Sequence, residues 1–276
     1  MIDNPTLLVD GDIIRYRCAF AAEKTYYLVT NDGMLEYYDT AKEAKENAGA
    51  NYVWSRKEVQ PVEFALQAAK TTLDSLIERF KPKDVKIFLS GPGNFRDLVA
   101  VTKPYKGNRL EAKPRHFNAV GEYLRTQWGA ESVRGIEADD AIGIALSKNG
   151  DRAVAASIDK DLLQVPGWHY NWVDSELFGV SRKKGDYALY RQILTGDTTD
   201  NVPGLEGVGP AAAGRILEGS KDSGELRERT AAAYRDRGKS VEYLLEQAQL
   251  LYILRTENDP WIQNLEAALK RVWQPS

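Results

Sequence analysis

Thr6-Leu7-Leu8-Val9-Asp10-Gly11-Asp12 decides how the rest of the chain is read. A short β-prone run with apolar Leu7, Leu8 and Val9 stops at a carboxylate followed by glycine. Such a run predicts a strand buried on both faces, and strands of that kind belong to parallel sheets covered by helices. Asp10 then stands at the carboxyl end of its strand. Runs of the same type recur at Val85–Leu89, Ala153–Ser157 and Trp168–Val173. Tyr26–Thr30 and Met34–Tyr38 alternate instead. Asn31-Asp32-Gly33 between them tolerates the positive φ of a tight turn, which predicts a hairpin.

Helices fill the gaps. Apolar residues at 62, 65, 66, 69, 73, 76, 77 and 80 recur at helical spacing, and Pro82 ends the pattern. Further periodic stretches begin at Ala138 and cover Val241–Tyr252. Strands separated by helices predict an α/β fold with a mostly parallel central sheet flanked by helices. Beyond about residue 190 the β-prone runs cease and the sequence becomes helical, with a Gly-rich interruption at 204–209, so the expected division is an α/β core over 1–190 and a helical region over 191–276.

The composition fits a globular chain: 276 residues, 43% apolar and 28% charged. Lys and Arg number 37 against 40 Asp and Glu, a net charge of −3 and a pI near 5.7. That total alone speaks against a nucleic-acid binder, although it is silent on where the charges sit. A single cysteine, Cys18, excludes a disulfide framework and a Cys-rich zinc site, and points to a reducing cytosol. His116 and His169 have no partners at metal or catalytic spacing. No run reaches membrane-spanning length, and Met-Ile-Asp-Asn-Pro does not resemble a signal peptide, so the expected compartment is cytoplasmic. A Walker or dinucleotide glycine fingerprint is absent.

Acidic residues gather where strands should end: Asp10, then Glu137, Asp139 and Asp140, then Asp159 and Asp161, then Asp197 and Asp200. Ligands of open parallel sheets bind at the carboxyl ends of the strands, so the first three groups should meet on one rim. Asp159 and Asp161, two apart, point the same way on an extended segment. Glu137 with Asp140, and Asp197 with Asp200, share a face on a helical turn. Singly, each group has a plainer reading as a turn, cap or salt-bridged loop. Their joint recurrence, in a chain with almost no histidine, favours a metal site. All-oxygen ligation selects hard ions such as Mg²⁺ or Mn²⁺. Two such ions about 3.5–4 Å apart serve in-line phosphodiester cleavage, one activating water and the other stabilising the leaving oxygen.

Val9-Asp10-Gly11-Asp12, Glu137-Ala138-Asp139-Asp140, Ser157-Ile158-Asp159-Lys160-Asp161-Leu162 and Gly196-Asp197-Thr198-Thr199-Asp200-Asn201 stand in one order. In that order they resemble the flap endonuclease/5′→3′ exonuclease family, which includes the 5′-nuclease domain of bacterial DNA polymerase I and the phage exonucleases. Gly204-Leu205-Glu206-Gly207-Val208-Gly209 resembles its helix–three-turn–helix hairpin, and Tyr105-Lys106-Gly107-Asn108-Arg109 the segment introducing its helical arch. The ending Gln247–Trp273 is most similar to the phage branch.

The resemblance implies a PIN-like 5′-nuclease core and a two-metal phosphodiester hydrolase that leaves 5′-phosphorylated products. Asp10, Glu137, Asp139 and Asp140 would form the first metal site, and Asp159, Asp161, Asp197 and Asp200 the second, with room for ligands shared between them. It also implies two Mg²⁺ or Mn²⁺ ions per site, a monovalent cation at the 204–209 hairpin, and a monomer. Its substrates would be double-stranded or branched DNA with 5′ ends, with RNA–DNA hybrids and replication or repair proteins as further partners, in the host cytoplasm if phage-encoded. Two positions depart from the family pattern. The acid expected before the aromatic–Arg pair Phe95-Arg96 is missing from Leu89-Ser90-Gly91-Pro92-Gly93, and Ala211 replaces a lysine after the hairpin, where either Arg215 compensates or the grip on DNA is looser.

Lys103, Lys106, Arg109, Lys113 and Arg115 face only Glu111 between residues 103 and 115, a local charge of +4. Cations so placed neutralise phosphates by counterion release, and Tyr105 among them suits stacking on a base. By resemblance, Lys106 and Arg109 reach the scissile phosphate, and Arg96 joins the DNA contacts. Gly207, Val208 and Gly209 would offer backbone N–H groups to phosphates at a helix N-terminus. Arg182-Lys183-Lys184 reads as a solvated turn. A related metal-dependent ribonuclease and a non-catalytic branched-DNA binder remain the alternatives.

Overall fold

β1 (Thr6–Asp10) is buried along its whole length. The other strands are β2 (Glu23–Asn31), β3 (Met34–Tyr38), β4 (Val53–Val59), β5 (Asp84–Asn94), β6 (Glu131–Gly135), β7 (Ala153–Ala156), β8 (Gly167–Asn171) and β9 (Glu176–Val180). The helices are α1 (Gly11–Ala21), α2 (Ala41–Ala48), α3 (Val62–Phe80), α4 (Phe95–Val99), α5 (Phe117–Trp128), α6 (Ala138–Asn149), α7 (Arg182–Thr195), α8 (Pro210–Leu217), α9 (Ser223–Arg235), α10 (Val241–Leu251) and α11 (Trp261–Val272). A computed structural model of the chain describes residues 2–109 and 112–273. It divides into two compact units, one of residues 12–78 and 112–128 and one of the remainder.

The larger unit holds a six-stranded sheet in the order β6-β5-β1-β7-β8-β9, parallel except for β9. The mostly parallel α/β sheet expected from the sequence is the one the chain forms. β1 lies between β5 and β7, with Val9 opposite Ile87 and Ala156 and Asp10 opposite Phe88. Leu8, Phe88 and Ala155 on one face pack against Ala141, Ile142 and Leu146 of α6. The strands that sequence reasoning missed, β4, β6 and β9, lie at sheet edges, where burial imposes little apolar pattern.

α7 differs from expectation. Arg182-Lys183-Lys184 forms its first turn, with Ser181 Oγ accepting from Lys184 N at 3.3 Å. A division at residue 190 would cut this helix. Leu189, Tyr190, Ile193 and Leu194 share a core with Ala213, Leu226, Tyr234 and Leu244 of α8, α9 and α10. The helical region therefore begins with α7 and stays in one unit with the sheet. What separates instead is the excursion carrying the predicted hairpin.

In that smaller unit β2 and β3 form the hairpin and β4 completes an antiparallel sheet in the order β3-β2-β4. Ala44 and Ala48 of α2 pack on Val29. α1 meets α5 through Tyr16 and Phe117, with ring centroids 4.6 Å apart, and the Arg15 guanidinium lies 3.9 Å from the Phe117 ring centre. No helix among the described residues is long and apolar enough to cross a membrane.

Gly11, directly after Asp10, has a steric reason to be glycine. A Cβ there would fall 2.6 Å from the Phe88 carbonyl oxygen and 2.8 Å from Leu89 Cδ2. Backbone cannot yield as a side chain can, so Gly11→Ala is expected to cost about 1–3 kcal/mol in chemical denaturation. An unchanged denaturation midpoint would contradict the close approach.

Candidate metal centre

Asp10 ends β1 with only 1% of its surface exposed. Ser157 Oγ donates to Asp10 Oδ2 at 2.8 Å and accepts from Asp159 N at 3.0 Å. Asp161 N then donates to Asp159 Oδ1 at 2.8 Å. Ser157 thus ties the end of the first strand to the acidic turn after β7. Sequence reasoning passed over it, although a hydroxyl at the end of an apolar strand, two residues before Asp159, is a readable signal.

Glu137 caps α6, and Ala138 N donates to Ser90 Oγ at 3.0 Å. Ser90 lies in the stretch from which the expected acid is missing, and it steadies the start of this helix. Asp197 Oδ1 accepts from Thr199 N at 2.7 Å and Asp200 N at 3.2 Å, which curls the Asp197–Asp200 turn around one carboxylate oxygen. That turn leans on two glycines. Gly196 (φ 69°) and Gly204 (φ 63°) both occupy the left-handed region, and a Cβ on Gly204 would lie 2.2 Å from Gly196 N.

Asp140 and Arg96 are used on each other. Asp140, expected as a metal ligand, is fully buried and paired with Arg96. Arg96 Nη1 donates to Asp140 Oδ2 at 2.6 Å and Nη2 to Oδ1 at 2.9 Å. Glu137 N and Leu254 N, each at 3.0 Å, fill the remaining acceptor positions of the Asp140 carboxylate. Arg96, expected to contact DNA, is 3% exposed and donates its other N–H groups to the Leu250 and Tyr252 carbonyls at 2.9 and 2.7 Å. Buried charges need such full pairing, so neither group is available to a ligand.

The basic segment is stitched onto the Asp197–Asp200 turn. Lys106 N donates to the Asp200 carbonyl at 2.9 Å, Asn108 Nδ2 to the Thr198 carbonyl at 2.6 Å, and Asn201 Nδ2 to the Pro104 carbonyl at 2.9 Å. Lys106 and Asn201 both hold positive φ, 54° and 60°. Lys106 Nζ donates to Glu137 and stands 3.7 Å from Asp200, while Arg109 Nη2 donates to Asp200 Oδ1 at 2.6 Å. The Tyr105 hydroxyl lies 2.8 Å from Glu137 Oε2 and 2.7 Å from Asp200 Oδ2. Its ring packs against the helical core beside Val99 and Ala100, so the stacking role expected of it does not match this placement.

Lys103 is exposed next to this segment. Lys113 and Arg115 belong to the smaller unit, where the Lys113 ammonium lies 4.7 Å from the Phe117 ring centre and Arg115 N donates to Glu23. Glu111, the single acid of the basic run, lies outside the described residues. At the 204–209 turn Gly207 and Gly209 are exposed, but Val208 is buried and its N–H donates to the Leu205 carbonyl at 3.0 Å. Val208 therefore anchors the turn and has no N–H to offer a phosphate. Arg215 is exposed on α8.

The electrostatics sort the remaining acids into two sets. Burial raises Asp139 well above the usual carboxylate range, and repulsion from Asp10, Asp159 and Glu137 adds to it. Burial also raises Asp159, helped by Asp200 and Asp197 and opposed by the Asp161 N–H. Asp161 is pushed up to about 7 by burial and by Asp159, Asp197 and Asp200. Glu137 goes the other way: burial would raise it, but Lys106 and Arg96 outweigh burial and hold it low. Tyr105 is raised by burial and by Glu137, which keeps its proton in place.

Unrelieved repulsion within an all-carboxylate basin is the chemistry of a hard divalent cation site. Among the described residues no three such side chains already stand around one metal position, and Glu137 and Asp200 are turned instead to Tyr105, Lys106 and Arg109.

A pH dependence follows. A carboxyl raised from 3.8 to about 7 holds its proton in the folded state over a range where the unfolded chain has lost it. Its contribution to metal-free stability therefore falls as pH rises from about 4 to about 7. Divalent binding requires that proton to leave, so Mg²⁺ should raise the melting temperature by a few °C more at about pH 8 than at about pH 5. Equal gains at the two pH values, read by thermal melts with EDTA or Mg²⁺, would contradict a carboxylate cation site.

Fold and site together define a class: an open, mostly parallel α/β sheet whose strand ends carry a carboxylate basin with a basic segment docked on it. Comparison with known proteins narrows the class. No family model matches the chain. In sequence it is 30% identical over 162 residues to the 5′-3′ exonuclease of Aquifex aeolicus, covering 53% of this chain and 56% of that protein. It is 36% identical over 178 residues to DNA polymerase I of Pseudomonas aeruginosa, covering 56% of this chain and 19% of that protein. The chain thus spans about half the length of the exonucleases it matches and a small fraction of the polymerases. In structure, a bacteriophage T5 protein co-crystallised with metal ions superimposes with a TM-score of 0.60 at 14% identity, over 98% of this chain and 99% of that one. The T5 flap endonuclease in a complex with DNA and metal ions gives 0.52 at 13% identity, over 75% and 90%. The resemblance drawn from the motifs holds: the chain has homologues named 5′-3′ exonuclease and DNA polymerase I, and it shares the fold of the T5 protein.

Proposed function

We propose that the chain is a metal-dependent 5′→3′ nuclease that hydrolyses DNA phosphodiesters at 5′ ends or flaps and leaves 5′-phosphorylated products. The observation that carries this reading is the docking of Lys106 and Arg109 on the same basin as seven carboxylates left after Asp140 is set aside. Anion-binding and cation-binding groups in one place suit a phosphodiester held between metal ions and fixed positive charge.

In this reading Asp10, Glu137, Asp139 and Asp159 hold one ion and Asp159, Asp161, Asp197 and Asp200 the other, with Mg²⁺ or Mn²⁺ as the cofactor. Bound there, the ions supply Lewis acidity toward the phosphate and its attacking water. Lys106 and Arg109 then turn from Glu137 and Asp200 to the phosphate oxygens, where they stabilise charge that builds up in the transition state. Exposed Lys103, Lys113, Arg115 and Arg215 hold the DNA backbone without reading sequence. The same reading includes a monovalent cation at the 204–209 turn, RNA–DNA hybrids among the substrates, a monomer, and a cytoplasmic setting. Properties in the names of the relatives, namely exonuclease action and binding of DNA and metal ions, agree with it.

The test is one gel comparing 5′-labelled blunt duplex, 5′-flap, RNA–DNA hybrid and single-stranded RNA, each with Mg²⁺, Mn²⁺ or EDTA. Cleavage of at least one DNA substrate with a divalent ion and none in EDTA is expected. Binding of the flap without cutting in any ion would favour the non-catalytic binder. Cleavage of single-stranded RNA but not duplex DNA would favour the ribonuclease.

A further inference from the structure

A cleft of about 370 Å³ opens beside the carboxylate basin, between the turn at Asp161–Gln164, α7, the Gly196–Asp197 corner and Pro210, the first residue of α8. Asp161 and Asp197 line it, and so do two cations, Lys160 and Arg191. The basin's other cations are all engaged: Arg96 with Asp140, Lys106 with Glu137, Arg109 with Asp200. Among the described residues the exposed Lys160 and Arg191 side chains form no ion pair or hydrogen bond, although two carboxylates share the cleft with them. Asp197 Oδ1 is taken by the N–H groups of its own turn and its Oδ2 accepts from Gln192 Nε2 at 3.5 Å, while the attraction of Lys160 for Asp161 is outweighed by burial and by repulsion from Asp159 and Asp197. The positive end of α8 borders the rim at Pro210, adding partial positive charge.

We infer that Lys160 and Arg191 form a phosphate subsite next to the metal centre. The group it takes is a phosphate carried on a sugar, whether the phosphodiester next to the scissile one in a DNA strand or the free 5′-phosphate of a released mononucleotide. The volume accommodates a nucleotide-sized ligand, and an open-mouthed cleft suits a strand passing through. A guanidinium and an ammonium approaching from two elements fix such a group by charge, leaving the base unread. This subsite rests on the nuclease reading for its place in a reaction, but phosphate binding can be measured without cleavage.

The experiment compares the wild-type chain with the Lys160→Ala/Arg191→Ala double variant in EDTA, by anisotropy of a labelled blunt duplex across a KCl series and by calorimetry with dAMP. Both side chains are exposed, so the variant should melt as the wild type does, and Arg191→Lys should keep the wild-type behaviour. If the phosphate belongs to a strand, the slope of log K against log [salt] becomes shallower by about 0.9, the loss of one neutralised phosphate. If it belongs to the product, that slope holds while dAMP affinity falls by about tenfold, the loss of a charge-assisted contact. Either result supports the subsite and names its source. Unchanged slope together with unchanged dAMP affinity would overturn it. A wild-type chain that never cuts DNA in Mg²⁺ or Mn²⁺, while the double variant still changes the slope or the dAMP affinity in EDTA, removes the nuclease reading alone. A cutting enzyme indifferent to both substitutions removes the subsite alone.

Discussion

Replacing Asp159 and Asp161 together by asparagine is expected to slow DNA cleavage by about 10³-fold or more, the scale of removing essential charge stabilisation from a phosphoryl-transfer site. Asp159 is the acid common to both repelling sets, and Asp161 is its neighbour through a 2.8 Å backbone hydrogen bond. Asparagine keeps the shape and the carbonyl acceptor but removes the charge that a divalent ion needs. The same change should leave metal-free stability equal or higher, because repulsion from Asp197 and Asp200 is relieved. A simple loss of fold therefore cannot produce the expected pattern. Cleavage rates in Mg²⁺ and melting curves in EDTA decide it, and full activity in the double variant would remove these carboxylates from the chemistry.

Asp140→Asn is expected to act in the opposite way, through the fold. It leaves the Arg96 guanidinium, 3% exposed, without its bidentate partner. Breaking one side of a buried ion pair costs about 3–5 kcal/mol, because the remaining charge cannot regain water. For a unit of this size that corresponds to a fall of roughly 10 °C in melting temperature. The double variant Arg96→Met/Asp140→Leu should recover a good part of the loss, since it removes both charges while filling the volume. Melting temperatures of the two variants against the wild type test this. An Asp140→Asn protein that melts like the wild type would show that the pair does not hold α6 in place. Asp140 caps Glu137 N and binds Leu254 N, so the pair joins the start of α6 to the turn that follows α10.

Asp139 and Asp140 mark the limit of reading along the chain. They are adjacent and chemically alike, and a motif assigns them together. On a helix, neighbours point about 100° apart. One therefore faces the carboxylate basin and the other faces Arg96, which arrives from a segment more than forty positions earlier. The basic segment shows the same limit. Its charge and spacing were plain in the sequence. That Lys106 lies on Glu137, and that Asn108 and Asn201 stitch two loops together, depends on pairing across 31 to 97 positions. Nothing local in the chain records such pairings.

The strand runs that bury apolar side chains on both faces, the helix periods and the acids at strand ends are local properties, each imposed by the burial of a single element. From them the sequence by itself determined the mostly parallel α/β fold, the position of the acidic motifs at the ends of its strands, and the kinship they imply. The tertiary structure decided which acids remain available. It spends Asp140 and Arg96 on each other, because a charge taken out of water must find a partner. It also sets Lys160 and Arg191, which form no ion pair among the described residues, together on one cleft beside the basin, because that cleft is bounded by elements from separate parts of the chain, the Asp161–Gln164 turn, α7 and the start of α8.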